Sequence, residues 1–234
     1  VNSYVIVKVG DNIAELIPRH GDYEEWIAQA LPGVVVVVDP RRGEMLPPPE
    51  TVRGAIVTGS HAMVTERARW SEHTGEWLAQ LVERSVPLLG ICYGHQLLAH
   101  ALGGEVGFHP GGIEIGTVAV RATAAAATDP LFGRLPARFP AQTIHSQTVL
   151  RLPQHALRLA GNEFEPHHAF RVGRCAWGVQ FHPEFSAAVM RDFIEHLAPD
   201  LRRQNREPDV LAAAVTQTPA AASVLRLFAE IADR

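Results

Sequence analysis

Pro87-Leu88-Leu89-Gly90-Ile91-Cys92-Tyr93-Gly94-His95-Gln96 decides how this chain is read. The apolar run from Val86 to Leu89 predicts a buried strand, which breaks into Gly90-x-Cys92-x-Gly94. A helix-period segment follows, Gln96 to Leu102, and Gly103-Gly104 ends it. Strand, sharp turn and helix, with one nucleophile at the turn between two glycines, is the sequence form of a nucleophile elbow. Glycines flank such a corner because the turn is strained and leaves no room for side chains. Cysteine suits the corner because the positive end of the helix behind it favours a thiolate. Taken alone, the stretch also fits a small buried cysteine punctuated by glycines. The rest of the chain has to choose.

Upstream, Tyr4 to Val9 predicts a first strand, closed at Gly10-Asp11. Asp22 predicts the N-cap of a helix running to Leu31, stopped by Pro32-Gly33. Val34 to Val38 is β-branched without alternation, which predicts a strand covered on both faces in a parallel sheet. Ala55-Ile56-Val57 begins another strand that ends in Thr58-Gly59-Ser60-His61, and an amphipathic helix is predicted from Ser71 to Arg84. This alternation predicts an α/β fold with a mostly parallel central sheet and helices on both faces, flavodoxin-like. Ligands in such sheets sit beyond the carboxyl ends of the strands. Gly59 and Cys92 both fall there.

Downstream of Gly104 the predicted strands are short and separated by turns: Gly116 to Val120, Phe139 to Ile144, Leu157 to Ala160 and Ala169 to Val172. They predict a small antiparallel portion capping the parallel sheet. Cys175 to Phe181 is the last strong strand and leads into His182-Pro183-Glu184, with a helix from Ala187 to Leu197 behind it. The organisation expected is one domain over residues 1–199 and a C-terminal helical extension over 200–234. The extension begins as a charged linker, Asp200 to Pro208, and Thr218-Pro219 opens its last helix.

Bulk composition narrows the class. The 234 residues are 47% apolar and 20% charged, an ordinary globular balance. Twenty-one Lys and Arg against 25 Asp and Glu give a net charge of −4, so no nucleic-acid or anionic-membrane surface is expected. Two cysteines, Cys92 and Cys175, exclude a disulfide scaffold and fit a reducing cytoplasm. No apolar run approaches the roughly 18 residues of a membrane span, and the N-terminal strand pattern is not that of a secretion signal.

His182-Pro183-Glu184 supplies what a cysteine nucleophile lacks. Residues i and i+2 of an extended segment project to the same side, and Pro183 disfavours a helix. Glu184 can then take the proton on one imidazole nitrogen while the other faces a nucleophile. The pair follows a predicted buried strand, as Cys92 does, so a Cys92-His182-Glu184 triad is expected.

Gly90-Ile91-Cys92-Tyr93-Gly94-His95-Gln96, followed by Gly178-Val179-Gln180-Phe181-His182-Pro183-Glu184, resembles the class I, triad-type glutamine amidotransferases. The likeness takes in Thr58-Gly59-Ser60, Ala101-Leu102-Gly103-Gly104 and Thr143-Ile144-His145-Ser146-Gln147, and is nearest to the glutaminase domain of GMP synthases. It implies that Cys92 attacks the side-chain amide of glutamine, that His182 protonates the departing ammonia, and that water hydrolyses the γ-glutamyl thioester. It also implies an oxyanion hole from the backbone N–H groups of Gly59 and Tyr93. Gln96 and the backbone around Ile144 and His145 would hold the substrate. Two departures stand out. His61 follows Gly59-Ser60 where many relatives carry proline, which leaves that loop without a fixed turn. The His-x-Asp of GMP synthase relatives reads His145-Ser146-Gln147 here.

No cofactor is expected, and no metal. The remaining histidines (His109, His155, His167, His168) lack ligand spacing with carboxylate support and read as loop and surface residues. Cys175 is expected to be an inert core thiol, and Trp26, Trp70 and Trp77 to pack on helices. Three functions follow. The first is a glutaminase-type amidotransferase feeding ammonia to a separate synthase subunit. The second is a hydrolase of γ-glutamyl peptides or amides by the same chemistry. The third is a silent interaction protein on this fold, which the presence of all three triad residues disfavours.

Overall fold

The computed structural model describes residues 2–234. Its first half alternates as the pattern predicts: β1 (Ser3–Val7), α1 (Ile17–His20), α2 (Tyr23–Ala28), β2 (Val35–Val38), β3 (Val52–Val57), α3 (Arg69–Glu83), β4 (Leu88–Ile91) and α4 (Tyr93–Ala101). Next come seven strands: β5 (Glu105–Phe108), β6 (Glu114–Ala122), β7 (Arg138–His145), β8 (Gln147–Arg151), β9 (Leu157–Gly161), β10 (Ala169–Val172) and β11 (Ala176–Val179). Four helices follow: α5 (Ala187–His196), α6 (Ala198–Arg203), α7 (Pro208–Ala213) and α8 (Pro219–Ala232).

Nine strands form one sheet in the order β2-β1-β3-β4-β11-β10-β9-β6-β7. The pairs from β2 to β11 are parallel, and those from β11 outward to β7 are antiparallel. The antiparallel strands thus continue the sheet sideways instead of capping it. A separate ribbon pairs β5 with β8. Among the described residues, no helix is long and apolar enough to cross a membrane.

Period-2 alternation along the central strands feeds two cores. Tyr4 and Ile6 of β1 point to one face with Ile56, Leu89 and Trp177, and are covered by Ile27 and by Val224, Leu225 and Phe228 of α8. Val5 and Val7 point to the other, with Val57 and Leu88, under Trp77, Leu78 and Leu81 of α3 and Leu97 and Leu98 of α4. Each such side chain, fully buried, stabilises the fold by about 1.5–3 kcal/mol. Asp22 caps α2 in a capping box with Glu25. Tyr4 Oη lies 2.8 Å from Asp233 Oδ1 and 3.0 Å from the Ala229 carbonyl, which ties α8 to β1.

Two further expectations are corrected. The Val34 to Val38 strand is not covered on both faces: Val34, Val36 and Val37 are 61%, 42% and 43% exposed. β2 is the edge of the sheet and pairs with β1 alone, so half of its surroundings are solvent. Nor is Asp200 to Pro208 a plain linker. α6 occupies its first part, with Leu201 buried in the cluster around Phe193 of α5.

Candidate active site

Cys92 caps α4 at φ 50° and ψ −99°, backbone that a side-chain-bearing residue rarely adopts. Such strain costs on the order of 1–3 kcal/mol and persists only where neighbours over-determine it. Here the Cys92 N–H donates to the Val179 carbonyl at 2.8 Å, and the Cys92 carbonyl accepts from the Gln96 N–H at 3.1 Å. The flanking glycines do more than clear space for the nucleophile. A Cβ on Gly90 would lie 2.3 Å from the Gly94 carbonyl oxygen, and one on Gly94 would lie 2.7 Å from Val57. Both glycines let the first turn of α4 settle onto β3 and β4.

β11 runs parallel to β4 in the register Gly90 to Gly178 and Ile91 to Val179, so the chain leaving β11 emerges beside Cys92. His182 is pinned there by its N–H to the Gln142 carbonyl at 2.8 Å and by the Phe185 ring stacked on it, centroids 4.1 Å apart. Glu184 Oε1 lies 2.7 Å from His182 Nδ1 and its side chain is fully buried. His182 Nε2, the nitrogen left over, is buried without a hydrogen-bond partner among the described residues. A Cβ on Gly59 would sit 3.0 Å from His182 Cε1 and 3.7 Å from Cys92 Cβ, so all three residues meet at one point. Burial alone would push His182 down. The charges of Glu184 and Cys92 beside it outweigh that and lift it to about 10.

The loop bearing Gly59 is held from several sides. Thr58 Oγ1 donates to the Gly59 carbonyl and accepts from the Val9 N–H, each at 3.0 Å. Gly10 lies so close that a Cβ there would be 2.6 Å from Gly59 O. His61, the departure from the expected proline, is docked: its ring stacks on Phe193, and its Nε2 is 3.4 Å from Tyr23 Oη. Burial, then the neighbouring His182 and His196, pushes His61 below the usual imidazole value. The backbone N–H groups of Gly59 and Tyr93 have no acceptor among the described residues.

A cavity of about 110 Å³ lies between the loop of Ser60 to Met63 and a wall of Cys92, Gln96, Ile144, His145 and Gln147. Gln96 Nε2 spends its hydrogens on the Gln147 carbonyl at 2.8 Å and Gln180 Oε1 at 2.9 Å. Cys92 Sγ is 3.6 Å from the Ile144 carbonyl. The His145 ring is occupied elsewhere: Nδ1 lies 2.9 Å from the Gln147 carbonyl and Nε2 3.1 Å from Glu114 Oε2. Its backbone, not its imidazole, is what the ring's bonding leaves for the cavity.

Sequence reasoning passed over Glu114. Burial alone would raise this carboxyl, but hydrogen bonds from His145, His168 and Asn162 hold it well below the usual carboxylate range. His168, expected in a surface loop, is fully buried, with Nε2 3.2 Å from the same carboxylate. Val120 is buried in the core, and counting back along β6 by twos would have put Glu114 on that side. Nothing in the sequence points to Tyr23 or Asn162. Cys175 is half-buried, its thiol donating to the Ser85 carbonyl at 3.0 Å.

The family model for glutamine amidotransferase class-I matches residues 28–196, which include Cys92, His182 and Glu184. The chain belongs to that family. It is an enzyme family, and the segments that carry Cys92 and His182-Pro183-Glu184 leave adjacent parallel strands of this chain at the same end of the sheet. A glutamine-hydrolysing GMP synthase of Aeropyrum pernix is 35% identical over 191 residues, 77% of this chain and 32% of that protein. One from Thermosipho africanus is 31% identical over 206 residues, 85% of this chain and 36% of its own. The chain therefore spans about a third of the length of these relatives. In Archaeoglobus fulgidus, one subunit of a glutamine-hydrolysing GMP synthase is 36% identical over 130 residues, 53% of this chain and 69% of that protein. In fold, a glutamine amidotransferase of Thermotoga maritima superposes with a TM-score of 0.78 at 23% identity, covering 99% of this chain and 98% of that one.

Proposed function

We propose that this enzyme hydrolyses the side-chain amide of glutamine through a thioester on Cys92. The observation that carries the reading is the convergence of the strained Cys92, the buried His182–Glu184 pair and Gly59 at one point beside a small cavity. The proton that Cys92 and His182 share rests on His182, and the thiolate sulfur attacks the γ-carbonyl carbon. The oxygen becomes an anion between the N–H groups of Tyr93 and Gly59, each such donor being worth roughly 3 kcal/mol in the transition state. The C–N bond then breaks, and His182 passes its proton to the leaving nitrogen, which departs as ammonia. Water enters, gives a proton to His182 and attacks the thioester; glutamate leaves, and the Cys92 thiolate is restored beside the protonated His182. Glu184 keeps the imidazolium oriented throughout. Gln96, its two amide hydrogens already used, offers its carbonyl oxygen to the substrate, and the backbone at Ile144 and His145 holds the amino acid end.

The ammonia acceptor in this proposal is a separate synthase subunit. Similarity to the Archaeoglobus protein, itself one subunit of a synthase, supports that reading. A free thiol nucleophile fits the reducing cytoplasm. A second reading, hydrolysis of γ-glutamyl peptides or amides, draws on one feature. A cavity of about 590 Å³ shares Ser60, His61 and Ala62 with the site and could house a substituent on the amide nitrogen.

The test is intact-mass spectrometry after incubation with a glutamine-mimicking diazoketone. Labelling at Cys92 that free glutamine blocks best, and that Cys92→Ala abolishes, supports the first reading. Protection by a γ-glutamyl dipeptide alone supports the second. A folded protein that never labels defeats both.

A further inference from the structure

The free edge of β7 is a common gauge for the sulfur and the imidazole. β7 ends the nine-stranded order and is paired in it with β6 alone. The Gln142 carbonyl accepts the His182 N–H at 2.8 Å, and the Ile144 carbonyl, two residues along, lies 3.6 Å from Cys92 Sγ. Carbonyls two residues apart on a strand point the same way, so one edge places both groups. An edge strand has no second ladder to hold it. The side chain of Gln142 supplies that hold. It is fully buried and lies opposite Thr117 of β6. The Thr117 hydroxyl donates to Gln142 Oε1 at 2.9 Å, and Gln142 Nε2 donates to the Thr216 carbonyl at 2.8 Å. The Thr216 N–H closes the ring on Thr117 Oγ1 at 3.0 Å. The direction of donation is fixed all the way round, because the carbonyl of Thr216 can only accept and its N–H only donate. Thr216 lies in residues 214–218, between α7 and α8 and outside the residues 28–196 that match the family model. The neighbouring Val215 carbonyl is taken by Arg191 of α5 at 2.7 Å.

We propose that Gln142 is a positioning residue for His182, and that residues 214–218 brace it through the ring with Thr117. The inference rests on the Cys92–His182 reading above and adds to it a task for the C-terminal extension. Gln142 touches neither substrate nor reacting atom in that scheme. It acts through its own carbonyl, and so through the backbone of His182. Cys92 is held independently, between β4 and the Val179 carbonyl of β11. With the ring open, the edge of β7 can shift and carry His182 away from a sulfur that stays where it is. A misplacement near 1 Å at reacting groups costs about 100-fold in rate, so a partial loosening of this edge is expected to cost about tenfold.

The test compares wild type with Thr117→Val, Thr117→Ser, Gln142→Leu and Tyr4→Phe. Valine keeps the shape of threonine but cannot close the ring; serine can. Tyr4→Phe cuts a tie of α8 far from the ring and controls for lost stability alone. Two readouts are taken. One is the NMR titration of the His182 imidazole. The other is diazoketone labelling of Cys92, resolved into a maximal rate and a half-saturating concentration. The titratable groups facing the imidazole are Glu184, Cys92 and His61. Thr117 and Gln142 carry no charge, so substitution there moves the titration only by displacing the ring from those partners. In Thr117→Val and Gln142→Leu the imidazole should titrate at lower pH than in wild type. Their maximal labelling rate should fall about tenfold at an unchanged half-saturating concentration. Thr117→Ser should match wild type, and Tyr4→Phe should melt earlier with titration and rate unmoved. If Thr117→Val only melts earlier, as Tyr4→Phe does, the ring is structural and the proposal is overturned. The same follows if Thr117→Ser loses as much as the valine variant. Labelling of His182→Ala at the wild-type rate would defeat the triad reading itself, and that arm uses no variant of the ring. The titration reads the ring even in a protein that does not label.

Discussion

Replacing Gly90 with alanine tests whether the elbow is built as described. The added methyl would lie 2.3 Å from the Gly94 carbonyl oxygen, 2.4 Å from its carbon and 2.7 Å from the His95 nitrogen. Ordinary contact begins near 3.4 Å, so the overlap is roughly 1 Å, and all of it is against backbone, which has no rotamer to retreat into. Overpacking of this kind costs about 1–3 kcal/mol. Relief requires the first turn of α4 to back away from β4, and that turn carries Cys92 and the Tyr93 N–H. A displacement near 1 Å at reacting groups costs about 100-fold in rate. Gly75→Ala is the matched control. Its methyl would meet Ala101 Cβ at 3.3 Å and Leu97 Cδ1 at 3.5 Å, a mild squeeze. That is offset by the roughly 0.8–1 kcal/mol that alanine gains over glycine within a helix. Urea unfolding and the rate of Cys92 alkylation by the diazoketone read both variants. Gly90→Ala should unfold earlier and alkylate about 100-fold more slowly, while Gly75→Ala stays within about 1 kcal/mol of wild type at an unchanged rate. A Gly90→Ala protein with wild-type midpoint and rate would refute the reasoning.

Two further outcomes concern charge. His182 is raised from 6.5 to about 10 in the fold, so its contribution to stability is complete below pH 6.5 and disappears as pH climbs through about 10. Glu184→Gln removes the first of the groups that raise it. Imidazole resonances followed by NMR should then titrate at lower pH, and the stability lost should be larger at pH 6 than at pH 10. An unshifted titration would dissociate Glu184 from the histidine. Glu114 is depressed, so its contribution is present above the ordinary carboxylate range and is lost as pH falls through its lowered value. Glu114→Gln should therefore flatten the acid side of the stability profile and leave the alkaline side unchanged, as read by thermal melts from pH 3 to 9.

What was legible in the sequence was what is local. The elbow declares itself within ten residues, and His182-Pro183-Glu184 within three, because their geometry depends on adjacent backbone. Features set by pairing across the chain were not legible. Val34 to Val38 has the composition of a central strand, and only the strand order shows that β2 has a single neighbour. The antiparallel strands were recognisable as strands, but whether they cap or widen the sheet depends on which edge they join. His168 sits beside Glu165, Pro166 and His167, residues that read as a turn; its burial is decided by Glu114, far earlier in the chain. α4 starts at Tyr93 and not at Gln96, because Gly94, a poor helix residue, is needed where α4 meets Val57.

The tie between Tyr4 and α8 has a consequence for synthesis. One face of the central strands is roofed by Val224, Leu225 and Phe228, and the bond from Tyr4 to Ala229 spans 225 positions. At the usual elongation rate of 5–20 residues per second, roughly 10–45 seconds separate the making of Tyr4 from the making of its cover. Throughout that interval the nascent chain can assemble the elbow side of its sheet under α3 and α4, while Tyr4, Ile6 and Ile56 face outward. The growing polypeptide is a half-roofed sheet, and guarding its bare side until α8 emerges is work for a chaperone.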